Sequence, residues 1–436
     1  MSEQRSMDGT AKLKPNKDGL EHLLTIGLFV TGFLLHCLLA FRSWIGGDQI
    51  HLLNLGLDLS VSGTIHPFAK MMAGAGGNPG ALLQFLIGIP LSIVPHYHSP
   101  MVLVLLAHAG AGWLLASVFR KDFGERIAAV FMLVYWLSPW RLYNGGFLWE
   151  PSYVFLPAAL HLWSCWKLKD VPATGPSMVL GLTLLISLQI HNSAFVLFLG
   201  VLILLVRKTV RIHWKGFMLG AVIGSLTLIP TLIFLAVGTM AGARESQGFL
   251  GESLLNVYPV FKGFLYWFTL GGLDVVRPLN ETVFLEQSPG GTWVRILQAL
   301  CVLSVGISIF SSWWFFRPLW RKEGNLDPRL DWWRTYAIAM MLSLVIAAAL
   351  SPIVLQGWQV VVALHAATIP VILWIGLRWF RDTTPRRLGL AGYALLQIAI
   401  AITLGFGHPI YRIPDTLPHD MKTENENLLN IIPLER

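Results

Sequence analysis

The sequence predicts an all-α, polytopic integral membrane helix bundle, and three observations carry that expectation. Hydrophobic residues make up 54% of the 436 and charged residues only 13%, with a mean hydropathy of +0.60, a balance no water-exposed surface uses. Apolar runs of bilayer-spanning length recur along the chain. These runs are continuous and rich in Leu, Ala, Trp and Phe. Barrel strands would alternate in polarity over short segments, whereas a helix satisfies its whole backbone internally, as hydrocarbon requires.

Taken in order, residues 1–22 form a polar tail with Lys12, Lys14 and Lys17. The tail lacks the basic-then-apolar pattern of a cleaved signal, so the first span is expected to stay as an anchor. About eleven transmembrane helices are predicted, at 23–43, 100–119, 127–143, 151–168, 175–190, 193–206, 216–238, 293–316, 335–355, 358–377 and 388–407. Two further runs are ambiguous: 81–97, broken by Pro90 and Pro95, and 257–273, which contains Lys262 and several glycines.

Charge places the loops. With a cytoplasmic N-terminus and 81–97 lying in the outer leaflet, 22 of the 32 Lys and Arg residues fall on the cytoplasmic side, as the positive-inside bias requires. Letting 81–97 cross would invert every later loop. The expected organisation is therefore a cytoplasmic tail (1–22) and a single transmembrane domain (23–407), followed by an outer C-terminal tail (408–436). Within the domain, 45–99 is a first outer loop with interfacial helices and 239–292 a long outer loop. The net charge of +8 is spent on short basic loops, so nucleic acid is not an expected partner. Cys37, Cys165 and Cys301 lie in apolar runs without metal-ligand spacing and read as core residues. The pairs Trp313-Trp314 and Trp332-Trp333 flank a basic loop and read as membrane-interface belts.

Polar residues of unusual type gather on the outer side. In the stretch WIGGDQIHLLNLGLDL, Asp48 follows two glycines and heads an amphipathic run, where a helix dipole favours an acid. His51 stands one turn on, on the same face. In LWEPSY, Glu150 precedes a proline suited to a first helical turn, between Trp149 and Tyr153. His191 and Asn192 form a polar turn between two apolar runs. His108, His161 and His365 fall inside spans and read as hydrogen-bonded core residues.

These motifs carry a resemblance. A first span, an acid heading an amphipathic helix, then SGTIHPFAK, NPGALLQFLIGIPLSI and a span ending in FRKDFGER are similar in order to the GT-C membrane glycosyltransferases. Those enzymes use polyprenyl-phosphate sugars and include protein O-mannosyltransferases and lipid A aminoarabinose transferases. The segment Tyr135-Trp136-Leu137-Ser138-Pro139-Trp140-Arg141 resembles the family's span end in Ser-Pro followed by Arg. The resemblance covers roughly residues 25–210. It departs at Gln49, where many members carry a second acid.

The resemblance implies a GT-C-like bundle that transfers a sugar from a polyprenyl-phosphate donor to a lipid, glycan or protein acceptor at the extracytoplasmic face, with inversion. Asp48 would be the catalytic base, or would orient it or hold a divalent cation through oxygen. Glu150, His191, Asn192, His51, Trp149 and Tyr153 would bind substrate, with aromatic faces and carboxylates suited to sugar. Arg141, Lys70 and Arg244 would hold the donor phosphate. No cofactor is otherwise indicated. The expected setting is a bacterial inner membrane, with membrane lipids as the remaining partners. The alternatives are a non-catalytic relative and a transporter or flippase for a lipid-linked sugar; span interiors nearly free of charge count against transport.

Overall fold

The computed structural model describes residues 18–43, 47–72, 76–96, 98–237, 258–321, 327–351, 355–379 and 383–408. The elements run α1 (Asp18–Arg42), α2 (Gly47–Ser62), β1 (Phe68–Met72), β2 (Gly76–Pro79), α3 (Leu82–Ile93), α4 (Ser99–Phe123) and α5 (Glu125–Phe131). A π-helical turn, Met132–Trp136, leads to α6 (Pro139–Gly145), α7 (Glu150–Tyr153), α8 (Phe155–Lys167) and α9 (Thr174–Ile190). There follow α10 (Phe195–Val206), α11 (Trp214–Ser225), α12 (Ile229–Val237), α13 (Tyr258–Gly271) and α14 (Val276–Asn280). The chain ends with α15 (Ser288–Arg321), α16 (Pro328–Leu350), a 3₁₀ turn (Gly357–Ala363), α17 (Leu364–Ala367), α18 (Ile369–Trp374) and α19 (Thr384–Gly407).

The chain is a polytopic helical membrane protein. Seven of the eleven expected runs form helical stretches long and apolar enough to cross a bilayer, at Gly19–Arg42, Ser99–Phe123, Trp214–Val237, Ser288–Leu319, Pro328–Leu350, Gly357–Arg378 and Thr384–Gly407. The other four are shorter or broken. The run 127–143 is interrupted because Pro139 lacks an amide hydrogen and its ring excludes the preceding turn, so α6 starts afresh after Ser138. The ambiguous run 81–97 is the 12-residue helix α3, with Pro90 inside it. At about 1.5 Å per residue it spans roughly 18 Å, short of a ~30 Å hydrocarbon core.

Lipid gives helices no hydrophobic reason to associate, so close packing and interhelical hydrogen bonds hold the bundle. Gly216, Gly220 and Gly224 recur every four residues on α11 and lie against the α9 backbone at Thr174, Met178 and Leu182; Gly181 of α9 returns the contact against Phe217. Trp136, fully buried, fits where Gly32 of α1 and Gly112 of α4 leave room for its ring. Its indole donates to the Phe29 carbonyl at 2.7 Å and stacks on the Phe29 ring at 5.2 Å.

The basic loops meet at one end through Asp122. Its carboxylate accepts from the indoles of Trp166 (2.9 Å) and Trp333 (2.8 Å) and pairs with Lys169 at 3.5 Å. Its carbonyl takes Arg329 at 3.0 Å. Trp332 and Trp333 are therefore not belt residues: both are buried, Trp333 stacked on Phe119 and Trp332 on Tyr336. Deeper in the bundle, His161 of α8 bonds the Tyr336 hydroxyl of α16 (2.9 Å), which bonds His365 of α17 (2.8 Å). The interior histidines are hydrogen-bonded core residues.

Between α1 and α4 the chain forms α2, a two-stranded antiparallel ribbon and α3. The ribbon was not expected. Ile50, Leu52, Leu53 and Leu55 of α2 are buried, and Gly56 meets Gly88 of α3 in close contact. The end of the ribbon is tied to the bundle by backbone donors and small polar groups: Gly80 donates to the Thr231 hydroxyl at 2.7 Å, Ala81 to the Thr227 carbonyl at 2.8 Å, and the Asn78 amide to the Ile190 carbonyl at 3.1 Å. Gly80 has φ of +93°, a left-handed value that glycine adopts without strain.

Candidate functional site

At the end of the bundle away from Asp122 a cavity of about 620 Å³ opens. The first turn of α2 contributes Asp48 and Gln49. The α6 region supplies Trp140, Tyr143, Asn144 and Phe147, with Trp149 just beyond. Tyr266 comes from α13, Asp274, Arg277 and Glu281 from α14 and its flanks, and Gln356 to Trp358 from the segment after α16.

Local rules position these groups. Asp48 lies in the first turn of α2, where exposed backbone N–H groups favour an acid. Gln356 caps the 3₁₀ turn, and the Gln359 side chain answers its backbone amide at 2.7 Å, which fixes Trp358 behind it. Trp358 faces Trp149 at 5.9 Å and carries the Arg277 guanidinium over its ring at 5.3 Å. Arg277 also reaches Glu281, one turn on, at 3.3 Å. The Tyr266 hydroxyl donates to the Leu355 carbonyl at 2.7 Å. Burial holds the Asp274 carboxyl above the usual carboxylate range, against the downward pull of its hydrogen bonds with Thr269 and Trp140.

The cavity thus combines three carboxylates, one guanidinium and facing aromatic rings. Aromatic faces and acids suit a polyhydroxylated ligand, and the guanidinium suits a phosphate. The acids do not make a metal centre: among the described residues no group of three or more His, Cys, Asp and Glu side chains could hold an ion. The expected cation therefore has no matching ligand set there.

No protein-family model and no curated protein matches the chain. Among solved structures it is similar to the crystal structure of ArnT from Cupriavidus metallidurans bound to undecaprenyl phosphate. The TM-score is 0.50 at 13% identity, over 90% of this chain and 76% of that one. The chain has the GT-C fold.

On this GT-C scaffold only two of the expected site residues line the cavity: Asp48 and Trp149. Glu150, beside Trp149, is buried at 3% exposure in α7 and lies outside the lining. His191 caps the turn Asn192–Ala194, its Nδ1 accepting from the Ser193 amide at 3.1 Å, so the His-Asn pair makes a helix connection away from the lining. His51 is exposed and Tyr153 buried with its hydroxyl directed to the Pro100 carbonyl; neither lines the cavity.

The donor-phosphate set is corrected further. Arg141 is fully buried, its guanidinium 4.0 Å from the Trp136 ring centroid, donating to the Trp136 carbonyl (2.8 and 3.1 Å) and contacting His108. The break at Ser138-Pro139 turns it into the bundle, where it ties the π-helical turn to α4. Lys70 contributes backbone to β1, its side chain lying outside the described residues, as does all of Arg244. The cation that does line the cavity, Arg277, was missed, as were Asp274 and Glu281. RPLNET reads as a plain loop, and only its position within an unusually long connection pointed to it.

Proposed function

We propose that the chain is a membrane glycosyltransferase moving one sugar from a polyprenyl-phosphate carrier to a hydroxyl-bearing lipid, glycan or protein acceptor at the extracytoplasmic face, in a bacterial inner membrane. One observation carries this reading: on a GT-C fold, the acid that follows the first span opens into the same cavity as a guanidinium and a pair of tryptophans. The similar ArnT structure holds undecaprenyl phosphate, which supports a polyprenyl phosphate as the carrier.

In this mechanism the Asp48 carboxylate takes the proton of the acceptor hydroxyl as its oxygen bonds to the anomeric carbon. The bond from that carbon to the phosphate oxygen breaks on the opposite face, so configuration inverts. Polyprenyl phosphate leaves with one more negative charge than the phosphodiester carried, and Arg277 stabilises it by a charge-assisted hydrogen bond. Trp149 and Trp358 pack on the sugar, and Asp274 accepts hydroxyl hydrogen bonds. Gln49, unable to serve as a second acid, leaves proton removal to Asp48 alone. No step passes through a metal.

The test is transfer of radiolabelled sugar from membrane extracts containing polyprenyl-linked donors. Asp48→Asn is expected to lose at least about 100-fold in rate, the scale of one general base, with an unchanged melting profile. Full activity in that variant would end Asp48's role as base. Failure of the wild type to transfer from any donor would favour the non-catalytic alternative, with a carrier-lipid binding assay then distinguishing a binding protein or flippase.

A further inference from the structure

A second cavity, about 910 Å³, lies at the other end of the bundle, between the first turns of α1, α5 and α19. Its walls are apolar, from Leu24 and Leu28 of α1, Ala129 of α5, Leu133 of the π-helical turn, and Leu390 and Ala394 of α19. Its mouth carries Glu21, Arg126 and Arg387. From Leu20 to Leu28 the groove descends about 12 Å at ~1.5 Å per residue, close to the depth of one leaflet of a ~30 Å core.

Two features identify what fills it. Only a third of the spanning window of α1, and of α19, is covered by protein, so the groove opens sideways at the depth of lipid chains. At the mouth two guanidiniums face one carboxylate, with Glu21 bonded to Arg126 at 3.3 Å. That leaves one net positive charge, the complement of a headgroup with one net negative charge, and Arg is the side chain suited to a phosphodiester. A zwitterionic headgroup would not balance it. We infer that this groove is a binding site for one anionic glycerophospholipid, its acyl chain between α1, α5 and α19 and its phosphodiester on Arg126 and Arg387. The site is independent of the sugar-transfer reading, because no residue is shared with the other cavity.

Native mass spectrometry of the full-length protein, released from detergent with equimolar phosphatidylglycerol and phosphatidylcholine, tests this. One phosphatidylglycerol is expected to be retained about five- to tenfold over phosphatidylcholine, the scale of one or two basic contacts to an anionic lipid. Arg387→Gln together with Arg126→Gln should level that preference. Ala391→Trp, which fills the groove and leaves the charges in place, should lower retention of both lipids. Equal retention of the two lipids by the wild type would overturn the proposal, as would a preference that survives both variants. A dimer that disappears in Ala391→Trp would instead assign the groove to a second copy of the chain. Should Arg126→Gln fail to fold for want of its bond to Glu21, Arg387→Gln alone and Ala391→Trp decide the outcome.

Discussion

Asp274 stands half out of water on the cavity wall, and its chemistry sets a pH dependence. Because burial raises its folded-state pKa above the unfolded value, folding favours the protonated form. The stability it contributes is fully present below the unfolded pKa and is lost as pH rises through the raised folded value. At neutral pH the ionised carboxylate is therefore a cost that Asp274→Asn removes. The variant is expected to melt at the same temperature as the wild type or higher, yet to transfer sugar more slowly, since an amide accepts sugar hydroxyls more weakly. Wild-type activity should fall as pH drops through the raised pKa, and that acid limb should move to lower pH in the variant; a pH-rate profile with parallel melts checks both. Asp48 was legible in the sequence because its helix and its glycines announce a position beside a span. Arg141 misled because a run counted to residue 143 ignores the Ser138-Pro139 break, which decides whether the guanidinium meets water or Trp136.

Helix packing was less legible than helix location. Seven spans could be placed from length and apolarity, since a bilayer fixes both. The four short or broken runs could not be classified that way, because neighbouring helices, rather than their own length, hold them. The α9–α11 pair shows why. Gly216, Gly220 and Gly224 are four residues apart, yet what they approach is the α9 backbone, which a single sequence does not pair with them. A Cβ at Gly220 would collide with the Met178 carbonyl oxygen, whereas one at Gly27 of α1 would meet nothing within 4 Å. Gly220→Ala is expected to cost about 1–3 kcal/mol, the usual penalty of overpacking, while Gly27→Ala should be neutral. Thermal unfolding in detergent compares them directly, and equal melting points would remove the backbone contact from the account of this pair.

At the scale of the whole molecule, one polar hub and one cavity mark opposite ends of the bundle. Asp122, from the end of α4, gathers the ends of α8 and α16 through two indoles and an ammonium. Asp122→Ala leaves those donors without their acceptor and is expected to lower stability by about 2–4 kcal/mol. Transfer at low temperature should persist, because the cavity lies a helix length away; unfolding and activity measured side by side separate the effects. The cavity itself was the least legible feature. Residues 48, 144, 277 and 358 meet only through tertiary packing, and nothing local in RPLNET or LQGW announces a shared wall. The ribbon of the first loop has a mechanical meaning. Its end is pinned by Thr227 and Thr231 to Trp214–Val237, the expected span with the least protein around it, 17% of its window being covered. That stretch answers to bilayer thickness by tilting, so the lipid composition of the host membrane pulls on the segment that follows Asp48 without touching the bundle's interior.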